Sequence, residues 1–101
     1  MTKPKSPGAC DTMQVLRGEI DDLDRKLISL LALRAGYIDR AIEIKAQTGL
    51  PARIPDRVED VVTKVRLAAE GEGLDPDLAE GLWRDLIEWS IAREARQIGG
   101  D

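Results

Sequence analysis

From Leu16 onward, apolar residues return at alternating intervals of four and three: Leu16, Ile20, Leu23, Leu27, Leu30, then Tyr37, Ala41 and Ile44, with Arg34 occupying one place in the series. This is a sustained a/d heptad with no proline inside it, and it predicts one long helix from about residue 12 to about residue 47. Asp11 and Thr12 are its candidate N-caps, Gly49 is its stop, and Pro51 lies just beyond. Gly36 weakens the helix without interrupting the pattern. Residues 50–54 form a connector. Pro55-Asp56-Arg57 opens a second helix with Val58, Val61, Val62 and Val65 on one face, ending near Gly71 or Gly73. A third helix starts at Asp75-Pro76-Asp77, with Asp as cap, Pro at the first helical position and acid in the first turn. Leu78, Leu82, Leu86 and Trp89 form its stripe, and Gly99-Gly100 ends it. No segment alternates with the period of a strand. The expected fold is all-α, with a long, a short and a medium helix over residues 12–98. Residues 1–11 form a lead, of which Met1–Ala9, with Pro4, Pro7 and Gly8, is expected to be disordered.

A helix over residues 12–47 would be roughly 50 Å long at 1.5 Å per residue. A compact domain of this size has a radius of gyration of only about 13 Å, so such a helix overshoots its own globule. One copy would leave half of the apolar seam in water. A dimer in which two long helices pack along each other is the simplest remedy.

Composition narrows the function. The chain has 101 residues, enough for one domain and too few for a cofactor domain beside a catalytic one. It contains no histidine, which excludes a His general base, Ser-His and Cys-His pairs, and the usual zinc sites. Cys10 is the sole cysteine, so there is neither a disulfide framework nor a CxxC metal knuckle. A net charge of -4 argues against a nucleic-acid binder. No apolar run reaches transmembrane length, and the lysines of Met1–Lys5 are not followed by the apolar segment a signal peptide needs. A soluble, cytoplasmic protein that does not bind membranes is the expectation.

Several residues do not belong in a plain helical core. Arg34 occupies a seam position, and a buried guanidinium needs an anionic partner. It either sets the register of a helix pair through a carboxylate or binds a ligand. Lys45 follows eleven residues later, nearly on the same face and ~16 Å along the axis. Two cations on one stripe with no carboxylate between them suggest a slot for a small dianion. Arg17 lies ~25 Å from Arg34 along the helix, so it reaches such a ligand only from a partner chain. Taken alone it is a solvated cation. Arg57 can aim inward or pair with Asp56 or Glu59. Glu94 lies close to the apolar stripe of the third helix, and its plain reading is a surface salt bridge to Arg93 or Arg96. Trp83 and Trp89 are expected to be core anchors.

The ordered set Leu16-Arg17-x-x-Ile20-Asp21-x-x-Asp24, Leu31-x-x-Arg34, Ile44-Lys45 and Pro55-Asp56-Arg57 resembles the all-helical class of chorismate mutases. Within that class the chain is most similar to the isochorismate-pyruvate lyase branch. That likeness rests on the opening Pro55–Val58, on Gly73-Leu74-Asp75 through Glu80-Gly81-Leu82, and on Ile87-x-Trp89-x-Ile91-Ala92. It implies an intertwined homodimer of three-helix chains acting on a small dicarboxylate. By position, Arg34 and Lys45 would bind substrate from one chain and Arg17 from the other. Arg57 would hold the second carboxylate side, and Glu94 would face the ether oxygen.

Such enzymes rearrange chorismate to prephenate, or expel pyruvate from isochorismate to leave salicylate. Neither reaction needs a nucleophile, metal or cofactor, which suits a chain without histidine. Arg binds carboxylates bidentately, and Lys45 is the natural point charge for the ether oxygen. Glu94 could donate there only if protonated. Two positions depart from the mutase pattern: Val58 and Ile54 stand where acidic residues contact the ring hydroxyl. Their loss leans toward isochorismate, whereas Glu94 is familiar among mutases. Mutase activity is expected, with the lyase reaction as the alternative. A non-catalytic helical dimer whose cations only set register is the competing class.

Overall fold

The computed structural model describes residues 4–98, all in helices, turns and connectors, with no strand among the described residues. The three helices are α1 (Met13–Thr48), α2 (Pro55–Glu72) and α3 (Pro76–Ile98). Each lies within a residue or two of where the hydrophobic pattern puts it. The expected stop at Gly99-Gly100 lies outside the described residues. The chain divides into two compact units that part between Gly36 and Tyr37, and α1 runs from the first into the second.

In the first unit Pro7–Ala9 close a short 3-10 turn, inside a lead for which no element was expected. Thr12 starts α1 as anticipated: its hydroxyl accepts the Val15 amide at 3.1 Å and its carbonyl accepts the Leu16 amide at 3.0 Å. No α1 residue is buried within the chain. Leu23, Leu27, Leu30 and Leu33 are each half exposed or more, so the seam read from the sequence is uncovered in a single copy. Along its N-terminal half runs an open groove of about 610 Å³, lined by Pro4, Pro7, Cys10, Leu16, Ile20 and Leu23 among others.

The second unit holds the packed core. Gly49 ends α1 with φ of +74°, a conformation a side chain resists, and the Leu50 amide turns back to the Lys45 carbonyl at 3.1 Å. Pro55 sits in the first turn of α2, where its missing N–H is no loss. Gly73, also at φ +74°, closes α2: the Leu74 amide donates to the Ala69 carbonyl at 2.8 Å and the Gly73 amide to Glu70 at 3.2 Å. Two residues on, Asp75 caps α3 by accepting the Asp77 amide at 2.9 Å. The helices α2 and α3 pack on each other around Ala52, Val62, Ile87 and Ile91, with Val58, Val61, Ala95 and Ile98 at the margin.

The face of α3 that is buried differs from the stripe read in the sequence. Ala79, Ile87, Ser90, Ile91 and Glu94 are buried, whereas Leu78, Leu82 and Trp89 are about half exposed. Trp89 is therefore not a core anchor of the single chain; the Arg93 guanidinium stacks 5.4 Å from its ring centroid. The Leu/Trp stripe is left about half exposed. On the outer side, Glu59, Arg84, Glu80, Arg66 and Asp77 form a continuous charged chain from α2 to α3.

Candidate active site

Lys45 and Glu94, assigned separately from the sequence, are brought together in the second unit. Lys45 stands in the last turn of α1, where a cation suits the helix terminus. Its Nζ lies 2.8 Å from Glu94 Oε1, and it donates to the carbonyl of Ala52 at 2.9 Å. The Glu94 side chain is only 5% exposed and that of Lys45 17%. Glu94 is thus a buried partner of Lys45 and not the surface partner of Arg93 or Arg96 that its neighbours suggested. The ammonium approaches Oε1 off the hydrogen-bond direction, so this buried oxygen has a counter-charge but no aligned donor among the described residues. Burying a carboxylate with incomplete hydrogen bonding is costly, and such a group is a place to look for chemistry.

Arg93, the residue before Glu94, donates Nε and Nη2 to the two oxygens of Asp39 at 2.6 and 3.1 Å, fastening α3 to the C-terminal part of α1. The hydrogen bond from Arg93 holds the Asp39 carboxyl below its ordinary range, and the same bond raises Arg93.

The remaining cations lie elsewhere. Arg57 is exposed on the first turn of α2 and pairs with Asp60 at 2.7 Å, one turn on, and not with Asp56 or Glu59. Lys64 joins that pair, and its hydrogen bond, followed by that of Arg57, lowers Asp60. Ile54 is half-buried at the head of α2, and Val58 packs against the core one turn later. In the first unit Arg17 is exposed on α1 and Arg34 is half-buried. Neither lines the groove beside Leu16 and Ile20.

Sequence reasoning missed three participants. Ser90 is buried one turn before Glu94 on the same face of α3, with its hydroxyl donating to the Leu86 carbonyl at 2.8 Å. Its i−4 spacing from Glu94 was visible, but a serine on a helix carries no signal until the buried face is known. Ala52, which presents its carbonyl to Lys45, is 2% exposed. Arg53, next to it, reaches Glu88 on α3. Among the described residues no group of His, Cys, Asp and Glu is arranged to hold a metal ion. No described helix is long and apolar enough to cross a membrane.

The second unit thus holds a buried lysine–glutamate pair, in a three-helix chain whose sequence carries arginines at 17, 34 and 57. Residues 16–95 match the family described as chorismate mutase type II, and the chain belongs to that family. It is 38% identical over 84 residues to the T-protein of Haemophilus influenzae, an alignment covering 83% of this chain and 22% of that protein. It is 32% identical over 93 residues to the isochorismate pyruvate lyase of Pseudomonas aeruginosa, covering 91% of this chain and 90% of the relative. The chorismate mutase of Methanocaldococcus jannaschii is 26% identical over 83 residues, with 82% of this chain and 84% of that one aligned. The chain thus spans about a fifth of the T-protein's length and nearly the whole length of the lyase.

Proposed function

We propose that two copies of this chain form a cytoplasmic pericyclic enzyme that converts chorismate to prephenate. The buried Lys45–Glu94 pair carries this reading, supported by the family to which the chain belongs. The rearrangement breaks the ether C–O bond as a C–C bond forms, with no proton removed and no covalent intermediate. Catalysis then consists of holding a flexible dicarboxylate in its compact reactive shape and placing donors on the ether oxygen as negative charge gathers there. Lys45 is that fixed cation. Its ammonium donates to the Ala52 carbonyl and stands 2.8 Å from Glu94 Oε1, and its remaining N–H capacity is available to the ether oxygen in this reading. Glu94, with Oε1 2.8 Å from that ammonium, holds the cation at this point in the reading.

Arg34 and the partner's Arg17 clamp one carboxylate in this reading, and Arg57 turns from Asp60 to the other. Dimerisation is part of the proposal because Arg17 reaches the ligand only from the second copy, whose α1 would also cover the exposed Leu23, Leu27 and Leu30.

One observation favours a second reading. Val58 and Ile54 are apolar where mutases hold acidic residues against the ring hydroxyl, and the chain aligns with nearly all of the Pseudomonas isochorismate pyruvate lyase. In that reading isochorismate loses pyruvate to leave salicylate in the same cationic frame. Purified protein incubated separately with chorismate and isochorismate, with prephenate, salicylate and pyruvate identified, decides between the two. Turnover of neither ends the enzymatic reading.

A further inference from the structure

The two partners of Lys45 belong to different elements: the Ala52 carbonyl, which accepts its hydrogen bond, sits in the connector between α1 and α2, and Glu94, its counter-charge, sits on α3. The position of the ammonium therefore depends on how the connector is fastened to α3. One fastening is the Ala52 methyl, packed with Val62, Ile87 and Ile91. Apolar packing holds it close but does not direct it, because hydrophobic burial is non-directional.

The other fastening is the next residue. Arg53 Nη1 and Nη2 donate to Glu88 Oε1 and Oε2 at 2.8 and 2.7 Å, two parallel bonds from the connector to α3. A forked arginine–carboxylate pair fixes orientation as well as distance. The Ala52 carbonyl lies in the same rigid peptide plane as the Arg53 nitrogen, so anchoring Arg53 also aims that carbonyl. Glu88 stands under two turns before Glu94 on the same helix. The fork thus ties together the two elements that hold the Lys45 ammonium, one by a hydrogen bond and one by charge.

We propose that Arg53 and Glu88 are positioning residues for Lys45, aiming its ammonium through the Ala52 carbonyl. The inference rests on the reading of Lys45 as the cation at the breaking ether bond. The pair is partly exposed, 32% for Arg53 and 58% for Glu88, so its loss removes little of the stability of the fold. Its effect falls on geometry, where misplacing a catalytic group by a fraction of an ångström is felt in rate.

The test compares Arg53→Met and Glu88→Gln with Arg66→Gln, which breaks an ion-pair link of similar exposure between α2 and α3 away from the connector. Chorismate turnover and the Lys45 ammonium signal in nitrogen-resolved NMR are both measured. The expected result for the two fork variants is a fall in kcat of about tenfold with KM held within about twofold. Their Lys45 ammonium protons also exchange faster with water, and Arg66→Gln changes neither readout. Unchanged kcat and unchanged ammonium exchange in the fork variants overturn the inference, as does an equal fall in Arg66→Gln. If the unaltered chain turns over no chorismate, the proposed function fails, and the ammonium exchange alone then decides whether Arg53 and Glu88 position Lys45.

Discussion

Lys45 and Glu94 hold opposite charges in a setting that excludes most water, and each is costly without the other. Removing one member of a buried pair leaves an uncompensated charge, which destabilises by about 3–5 kcal/mol when burial is complete. Lys45→Met should therefore lower the melting temperature, and adding Glu94→Gln should restore part of it. A double-mutant cycle by thermal unfolding measures that coupling. Neither variant should retain full activity. Loss of a donor at a developing oxyanion lowers kcat by about 10²–10³, and chorismate turnover by Lys45→Met should fall into that range. Glu94 is open to a separate check: Glu94→Gln removes the counter-charge beside Lys45 and should change chorismate turnover, and unchanged turnover removes Glu94 from the mechanism.

At the scale of elements, α2 and α3 are closed by local signals and locked by charge. Gly73 takes a left-handed conformation, so Gly73→Ala should cost about 1 kcal/mol, read as a lowered denaturation midpoint. The charged chain across the outer side predicts the response to acid. Hydrogen bonds from Arg84 and then Arg66 hold Glu80 below its ordinary range, and Arg93 does the same for Asp39. Carboxyls lowered in the folded state contribute stability above their unfolded pKa, near 4, and lose it as pH falls through the folded value. Helical circular dichroism should accordingly persist to lower pH in the parent than in Arg84→Gln, whose acid midpoint should shift upward. Caps, proline starts and glycine stops lie within a turn of the residues they govern, which is why all three helices were legible from sequence. The buried face of α3 was not. Leu78, Leu82 and Trp89 stay about half exposed, while the helices meet around Val62, Ile87 and Ile91.

At the scale of the whole molecule, the exposed seam of α1 and the position of Arg17 lead to one prediction about assembly. If each site takes Arg34 from one chain and Arg17 from the other, two inactive variants can complement. A dimer of one Arg17→Ala chain and one Arg34→Ala chain has one intact site and one doubly altered site. Random co-assembly of equal amounts makes half the dimers mixed, so about a quarter of full activity should return. Sites built within single chains would give no recovery at all. Leu27→Lys, placed in the seam, should shift the mass in solution toward the monomer and abolish turnover with it.

The heptad seam, the three helix boundaries, the order of cations and the lack of histidine follow from the sequence alone, because each is set by neighbours within a turn or by composition. The resemblance to one helical family rested on the same local order. Tertiary structure decided which residues meet. It turned Glu94 from a surface acid into the buried partner of Lys45, paired Arg57 with Asp60, exposed Trp89, and brought the Ala52 carbonyl and the Arg53–Glu88 fork to the end of α1. These contacts join residues far apart in the chain, and they depend on which helix faces pack and how closely. On α3 the periodic stripe of Leu78, Leu82 and Trp89 stays half exposed while Ile87, Ile91 and Glu94 are buried, because the packing face is chosen by partners distant in the chain.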